Sequence, residues 1–270
     1  MKTKGTETNW QYWKEAKYYQ QELRQRALGE LPEMESAKCV SEHVAEVFQP
    51  GDSVLDAGCG AGHYLLSLRK CLRGDFAYTG VDITPQHVAD AQTIFSEWPN
   101  VSFQAGDIRR LPFKDKEFAI TICANTIPHM PQAAMALREL ARVTRNHLFV
   151  RMLVGNEILI TKKAYSDTLD EQGEPVEFAY VNIYTEKFVI ESSGAPARNV
   201  TFLADRFDPA RIERHYERHR HAAGDNRATR VVEGLQFKGC LLLPWKIARL
   251  DLRPNVPSGI HCHPSTGPRP

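Results

Sequence analysis

Between about residues 50 and 155, short apolar or β-branched runs alternate with segments of helical period, the rhythm of a parallel sheet joined by helices. The runs at 53–56, 77–82, 101–104, 118–123 and 148–153 read as strands buried on both faces. Residues 64–72, 85–98 and 131–143 read as helices. In the last, Ala134, Leu137, Leu140 and Ala141 share one face, and Pro85 and Pro131 fall where a first turn tolerates proline. Upstream, 10–28 and 34–48 also carry a helical period, the second with Ala37, Val40, Val44, Val47 and Phe48 along one stripe. Downstream the pattern loosens. Residues 176–184 alternate as a strand, 185–193 read as a helix stopped by Gly194, 200–204 as a strand, and the apolar run 235–250 as an added edge strand. Pro, Gly and Ser crowd residues 254–270, which read as a disordered tail.

Composition narrows this picture only a little. The 270 residues are 42% hydrophobic and 25% charged, and 34 Lys and Arg against 33 Asp and Glu leave a net charge of +1. That balance lacks the overall basic excess of a chain built for phosphate backbones or anionic lipid. No apolar run approaches the roughly 18 to 20 residues that span a bilayer, and the opening MKTKGTETNW has no apolar leader, so a cytoplasmic location and no membrane partner are expected. The six cysteines stand apart without C-x-x-C pairs, and reduced thiols are expected.

The chemistry concentrates in SVLDAGCGAGHY, where a strand ends in Gly58, Gly60 and Gly62 at alternate positions before a helix begins. Glycines there permit a tight turn and close backbone approach, and the helix N-terminus favours an electron-rich ligand group. Asp82 ends the second strand 20 residues after Gly62, where a carboxylate can accept both ribose hydroxyl protons. Asp107, after the third strand, can accept from an adenine amine while Ile108 packs on the ring. Three successive strand ends would line one nucleoside site. The spacing of Asp82 also suits a nicotinamide dinucleotide and hence an NAD-type oxidoreductase; G-x-G-x-G in place of G-x-G-x-x-G, and an acid at Asp107, speak against that reading.

In VLDAGCGAG, YTGVDIT, AGDIRRLPF and FAITICANTIPHM, in this order and spacing, the chain resembles the class I S-adenosylmethionine-dependent methyltransferases over roughly residues 34–155. The resemblance implies a doubly wound, Rossmann-like, seven-stranded and mostly parallel sheet, with N-terminal helices and C-terminal insertions forming a lid. It implies that Gly58, Gly60 and Gly62 hold the methionine part of the cofactor with Asp56 organising the loop. Asp82 would bind the ribose and Asp107 the adenine, with Ile83 and Ile108 flanking the ring and Ala124 and Asn125 facing the reacting centre. The family sheet ends with an antiparallel strand, and 200–204 and 235–250 are expected to supply the last two strands. One domain over residues 1–253 is expected, with its core at 34–155 and acceptor-side insertions at 155–235.

Acceptor-side signals are weaker. His129, beyond the fourth strand, is the candidate general base, against a loop histidine that bonds to backbone. Arg151, on an apolar fifth strand, is either a substrate-anchoring cation or a strand-end residue turned to solvent. Trp10, Tyr12, Trp13, Tyr18, Tyr19, Phe178, Tyr180 and Tyr184 can form a lid or simply pack the N-terminal helix on the sheet. Residues 205–230 mix Arg and His with acids and read as a solvated helix or as a dock for an anionic acceptor such as a phosphorylated small molecule or RNA. His215, His219 and His221, and His261, Cys262 and His263, lack a complete zinc pattern, so no metal is expected. The expected function is methyl transfer from S-adenosylmethionine to a small molecule. A non-catalytic cofactor-binding sensor, and an RNA or protein acceptor, stay open.

Overall fold

The strand-like runs become one twisted sheet because alternate residues along each find apolar layers on opposite faces. The computed structural model describes residues 17–206, 229–232, 235–238 and 241–254. Strands β1 (Ser53–Ala57), β2 (Ala77–Asp82), β3 (Val101–Ala105), β4 (Phe118–Ala124) and β5 (Thr144–Gly155) are mutually parallel. Helices α1 (Lys17–Ala27) and α2 (Glu35–Ala45) precede them, and α3 (Tyr64–Cys71), α4 (Pro85–Ile94) and α5 (Ala133–Val143) connect them. After β5 come a hairpin of β6 (Lys162–Ala164) and β7 (Phe178–Tyr180), then β8 (Tyr184–Thr185), α6 (Glu186–Ser193) and β9 (Val200–Ala204).

The run 235–250 is not one edge strand. It divides into β11 (Leu235–Lys238) and β12 (Leu241–Leu242), which join β10 (Thr229–Val232) in a separate antiparallel sheet, and β13 (Trp245–Asp251). Strand β13 enters the main sheet antiparallel between β5 and β9, giving the order β3-β2-β1-β4-β5-β13-β9, with β8 pairing the far end of β5. Burial explains the placement: Ile247, Ala248 and Leu250 are fully buried, whereas β9 is buried at none of its positions and tolerates the edge. The other edge strand, β3, is buried only at Phe103, so not every strand is covered on both faces.

Val54, Ile120, Ile122 and Phe149 point into a core with α2, α3 and α4, while Leu55, Cys123, Leu148 and Val150 point into a second core with α5 and α6. This division between neighbouring residues is the period of two expected of a sheet covered on both sides. Helix α5 begins at Ala133, with Gln132 before it in the left-handed region at φ 59, so Pro131 lies outside the first turn. Helix α6 is capped by the Thr185 hydroxyl, which accepts from the Phe188 N–H at 3.1 Å, and stops at Gly194 at φ 70. Among the described residues no helix is long and apolar enough to cross a membrane. Because the strands β1 to β5 are parallel, the loops leaving β1, β2, β3 and β4 all gather at one sheet edge, which is where an open α/β sheet places its ligand.

Candidate functional site

Strand β1 runs into the turn Gly58-Cys59-Gly60-Ala61-Gly62, in which Gly58 and Gly62 both have φ +84. A Cβ on Gly58 would run into the Thr126 side chain, and one on Gly62 would lie 2.8 Å from the Phe103 ring, so both the backbone conformation and the space require glycine. The N–H groups of Gly58 and Cys59 donate to the Val81 carbonyl at 2.7 and 3.0 Å. The Gly60 N–H donates to Asp82 Oδ2 at 2.9 Å and the Thr84 N–H to Asp82 Oδ1 at 2.8 Å. His87 Nδ1 stands 3.4 Å from the same carboxylate, and the Tyr19 ring lies edge-on to His87. Helix α1 also brings Leu23 over the turn, 2.9 Å from where a Gly60 Cβ would sit.

Two carboxyl groups at this edge have opposite charge preferences. Burial pushes Asp56 up to about 7 from an ordinary 3.8; the Tyr78 hydroxyl, donating to Asp56 Oδ2 at 2.7 Å, opposes the rise and the Asp82 charge adds to it. Burial pushes Asp82 up too, but His87 and the Thr84 and Gly60 N–H groups outweigh it and hold Asp82 below its ordinary value. The bond from the glycine turn to a carboxylate is therefore made by Asp82, and the partner of Asp56 is Tyr78. Asp107 follows β3, and Arg109 grips its carboxylate through Nε at 3.0 Å and Nη2 at 2.6 Å while reaching Gln132 Oε1 at 2.8 Å. Ile108 is buried among apolar side chains that include Leu55 and Val81, and Ile83 is half-buried.

At the ends of β4 and β5, Ala124 is the register partner of Arg151, and Asn125 follows in the left-handed region at φ 62. The Asn125 Nδ2 donates to Tyr64 Oη at 3.4 Å, and Tyr64 Oη donates to Ser36 Oγ at 3.0 Å. Arg151 donates through Nη1 to Asn125 Oδ1, and through Nε and Nη2 to Asp205 at 2.9 and 2.6 Å. Gln236 Nε2 adds a bond to Asp205 at 3.1 Å, and the Trp245 ring centroid lies 4.0 Å from the guanidinium. Arg151 is thus not turned to solvent: it is buried, and its charge is met by Asp205. Sequence reasoning missed this partnership because 54 residues separate the pair with no shared periodicity.

His129 lies on a 3₁₀ turn, Ile127–His129, with Nδ1 2.8 Å from the Tyr180 carbonyl oxygen. A carbonyl only accepts, so Nδ1 carries the proton and Nε2 the lone pair in the neutral ring. This is the backbone contact considered for a loop histidine. Burial pushes the thiols of Cys59 and Cys123 up, so neither is a ready nucleophile. Tyr18 and Tyr19 lie on α1, whereas Trp10, Tyr12, Trp13, residues 207–228 and the candidate metal residues His215, His219, His221, His261, Cys262 and His263 fall outside the described residues. Among the described residues no group of His, Cys, Asp and Glu can hold a metal ion.

Residues 54–147 match the family model for a methyltransferase domain. The chain is 34% identical over 118 residues to YcgJ, an uncharacterized methyltransferase of Bacillus subtilis, a match covering 42% of this chain and 40% of that protein. It is 32% identical over 102 residues to the 2-methyl-6-phytyl-1,4-hydroquinone methyltransferase of Synechocystis, covering 37% of this chain and 31% of the relative. The chain thus spans well under half the length of these curated relatives. The solved structure of YcgJ superposes with a TM-score of 0.51 at 20% identity, covering 81% of this chain and 99% of that one. A Haloferax volcanii putative methyltransferase, solved in complex with the Trm112 activator, gives 0.53 at 16% identity, covering 87% and 96%. Both share the fold.

S-adenosylmethionine is the methyl donor of such domains, and the residues present fit it on two counts. The glycine turn leaves a backbone cradle that side chains would fill, beside the ionised Asp82. Thr84 Oγ1 and His87 Nε2, both buried next to Asp82 in the chain or in space, have no hydrogen-bond partner among the described residues and can serve a polar ligand.

The elevated Asp56 has a measurable consequence. Its folded form holds the proton more tightly than the unfolded chain, so stability falls as pH rises from about 4 to about 7 and the penalty is complete above that range. Asp56→Asn removes the titration. Urea unfolding across pH 4 to 8 should show the variant gaining stability relative to the parent as pH rises; a difference independent of pH would refute the assignment.

Proposed function

We propose that this chain, whose residues 54–147 belong to the class I S-adenosylmethionine-dependent methyltransferase family, transfers a methyl group to a small-molecule acceptor. The observation that carries the reading is the glycine turn held to an ionised Asp82 at the carboxyl edge of the sheet. Bound there, the cofactor supplies an electrophilic methyl group on a sulfonium that leaves readily. The turn at Gly58, Gly60 and Gly62 gives backbone contacts to its methionine part, and Asp56 supports β1 beneath that turn through Tyr78. Asp82 accepts the ribose hydroxyls. Asp107, held in place by Arg109, takes the adenine amine, between Ile83 and Ile108. Ala124 and Asn125 face the reacting end, and Arg151 fixes the amide of Asn125.

Orientation of acceptor and methyl can lower the barrier by roughly 7 to 11 kcal/mol, whereas a general base contributes about 10²- to 10⁴-fold, so holding the acceptor in line matters more than deprotonating it. His129 is our candidate to take the acceptor's proton, and its Nδ1 contact with the Tyr180 carbonyl supports the reading by fixing the ring. A small and largely apolar acceptor is supported by two features. The quinol methyltransferase named among the relatives acts on such a molecule by its name, and Ile158, Leu159 and Ile160, just after β5, are 49%, 48% and 60% exposed at this edge. Residues 155–235 are the segment to shape that acceptor site.

Calorimetric titration with S-adenosylhomocysteine should show binding; none, with a nicotinamide dinucleotide binding instead, would overturn the reading. Asp82→Ala removes a charged acceptor worth about 1.5 to 3 kcal/mol, so the affinity should fall at least tenfold. An unchanged dissociation constant would remove Asp82 from the cofactor site. Incubation with a metabolite extract and cofactor, read by mass spectrometry, should reveal an acceptor that gains a methyl group. On that acceptor His129→Asn should cut turnover while sparing cofactor affinity, and full activity would exclude it as the base.

A further inference from the structure

We propose that the opposite, amino edge of the sheet carries a second binding site, for a small oligophosphate anion. A cleft of about 470 Å³ opens there, where α5 and α6 end, β5 begins and β13 finishes. Lys116, Arg138, Arg142, Arg198 and Arg253 line it against a single carboxylate, Asp251. Two of these cations are already matched. Arg142 spans Glu139 and Asp115 and reaches the Phe113 and Leu111 carbonyls, and Arg253 forks onto Asp251. Lys116, Arg138 and Arg198 are exposed, and their side chains make no hydrogen bond or ion pair among the described residues.

A cation in the last turn of a helix is ordinary, because it meets unpaired carbonyls there, and this accounts for Arg142 on α5. It does not account for Arg198, which stands on the 3₁₀ turn Ala197–Asn199, or for Lys116, which precedes β4. Lys116 holds a left-handed backbone at φ 55, pinned by its N–H bond to the Arg142 carbonyl at 2.8 Å. Three unmatched positive charges from three separate segments therefore face one concave space, where they repel one another and an anion relieves the repulsion. Guanidinium groups bind phosphate oxygens in pairs, which suits an oligophosphate better than a single carboxylate. The volume falls within the roughly 300 to 1,000 Å³ of small-molecule pockets, whereas a nucleic-acid strand needs a groove that continues along the surface. Helix α5 has Gln132, bonded to Arg109 of the Asp107 loop, before its first turn and the cleft at its other end, so the two sites share one rigid element.

The full chain titrated with inorganic tripolyphosphate should show saturable binding at one site per chain. The Arg138→Ala, Arg198→Ala double variant should bind at least tenfold more weakly while keeping its affinity for S-adenosylhomocysteine. Arg198→Glu, a reversal on an exposed turn that leaves α5 untouched, should lose binding as well. No saturable binding to the parent, or parent-like binding in both variants, would overturn the proposal. So would a short single-stranded oligonucleotide that binds the parent more tightly than tripolyphosphate and is lost in the same variants. Because cofactor affinity is measured separately, failure here leaves the methyltransferase reading untouched, and failure of that reading leaves this one.

Discussion

A carboxylate withdrawn from water has to be met by donors, and at Asp82 the donors are the backbone of the turn that needs holding. The Gly60 and Thr84 N–H groups reach its two oxygens, so one buried charge joins the end of β1 to the start of α4. That bond exists only because parallel pairing brings Val81 alongside Ala57 and puts the Val81 carbonyl under the Gly58 and Cys59 N–H groups. It also requires glycine at the turn, since the Thr126 side chain and the stacked rings of Phe95 and Phe103 occupy the space a Cβ would take. Register, turn and aromatic packing are consequences of one another here, and a change to any of them disturbs the place where the carboxylate points.

The two acids beside the turn divide their charge. Two ionised carboxylates in a shared low-dielectric region repel, and the one with more donors keeps its charge. Asp82 has two backbone N–H groups and a nearby imidazole, whereas Asp56 has one phenol from Tyr78 in a fully buried strand. Asp56 consequently stays largely protonated until neutral pH. Asp82 stays ionised and can accept from ligand hydroxyls. His63, at the N-terminal side of α3, is pulled down to about 3 by burial with Arg26 adding to the effect, so its own ring stays neutral beside the turn. The electrostatic outcome beside the turn is that Asp82, and not Asp56, carries the fixed negative charge.

How far the sequence revealed this differs by element. The parallel strands were legible because each is a short apolar run set between turn residues, and β2 lies where the pattern put it. The glycine turn and the spacing to Asp82 were legible for the same local reason. The runs 200–204 and 235–250 do supply the last two strands of the sheet, but the edge belongs to β9: β13 is apolar enough to look like any buried strand, and nothing within 235–250 indicates that it inserts between β5 and β9. The partners of the site residues were also hidden. Tyr78 for Asp56, Arg109 for Asp107 and Asp205 for Arg151 are set by side-chain geometry in the assembled sheet, the last across 54 residues. Periodicity reports faces and lengths, and it carries no information about which charge meets which.

The Arg151–Asp205 pair limits what the acceptor can be. Both groups are almost wholly buried, and the guanidinium is further occupied by Asn125 and the Trp245 face. Removing one member of such a pair costs about 3 to 5 kcal/mol, because the other charge is left without a counterion in a poor solvent. An acceptor that used Arg151 as its anchor would have to replace both Asp205 oxygens with its own and leave Asp205 with only Gln236. A neutral acceptor asks for none of this and leaves the pair intact. The same pair also holds Asn125 and through it the Tyr64 hydroxyl, which burial pushes up to about 12 so that it remains a proton donor. For the methyl transfer proposed above, a neutral acceptor would be selected by shape and apolar contact, for which the exposed Ile158, Leu159 and Ile160 after β5 offer surface.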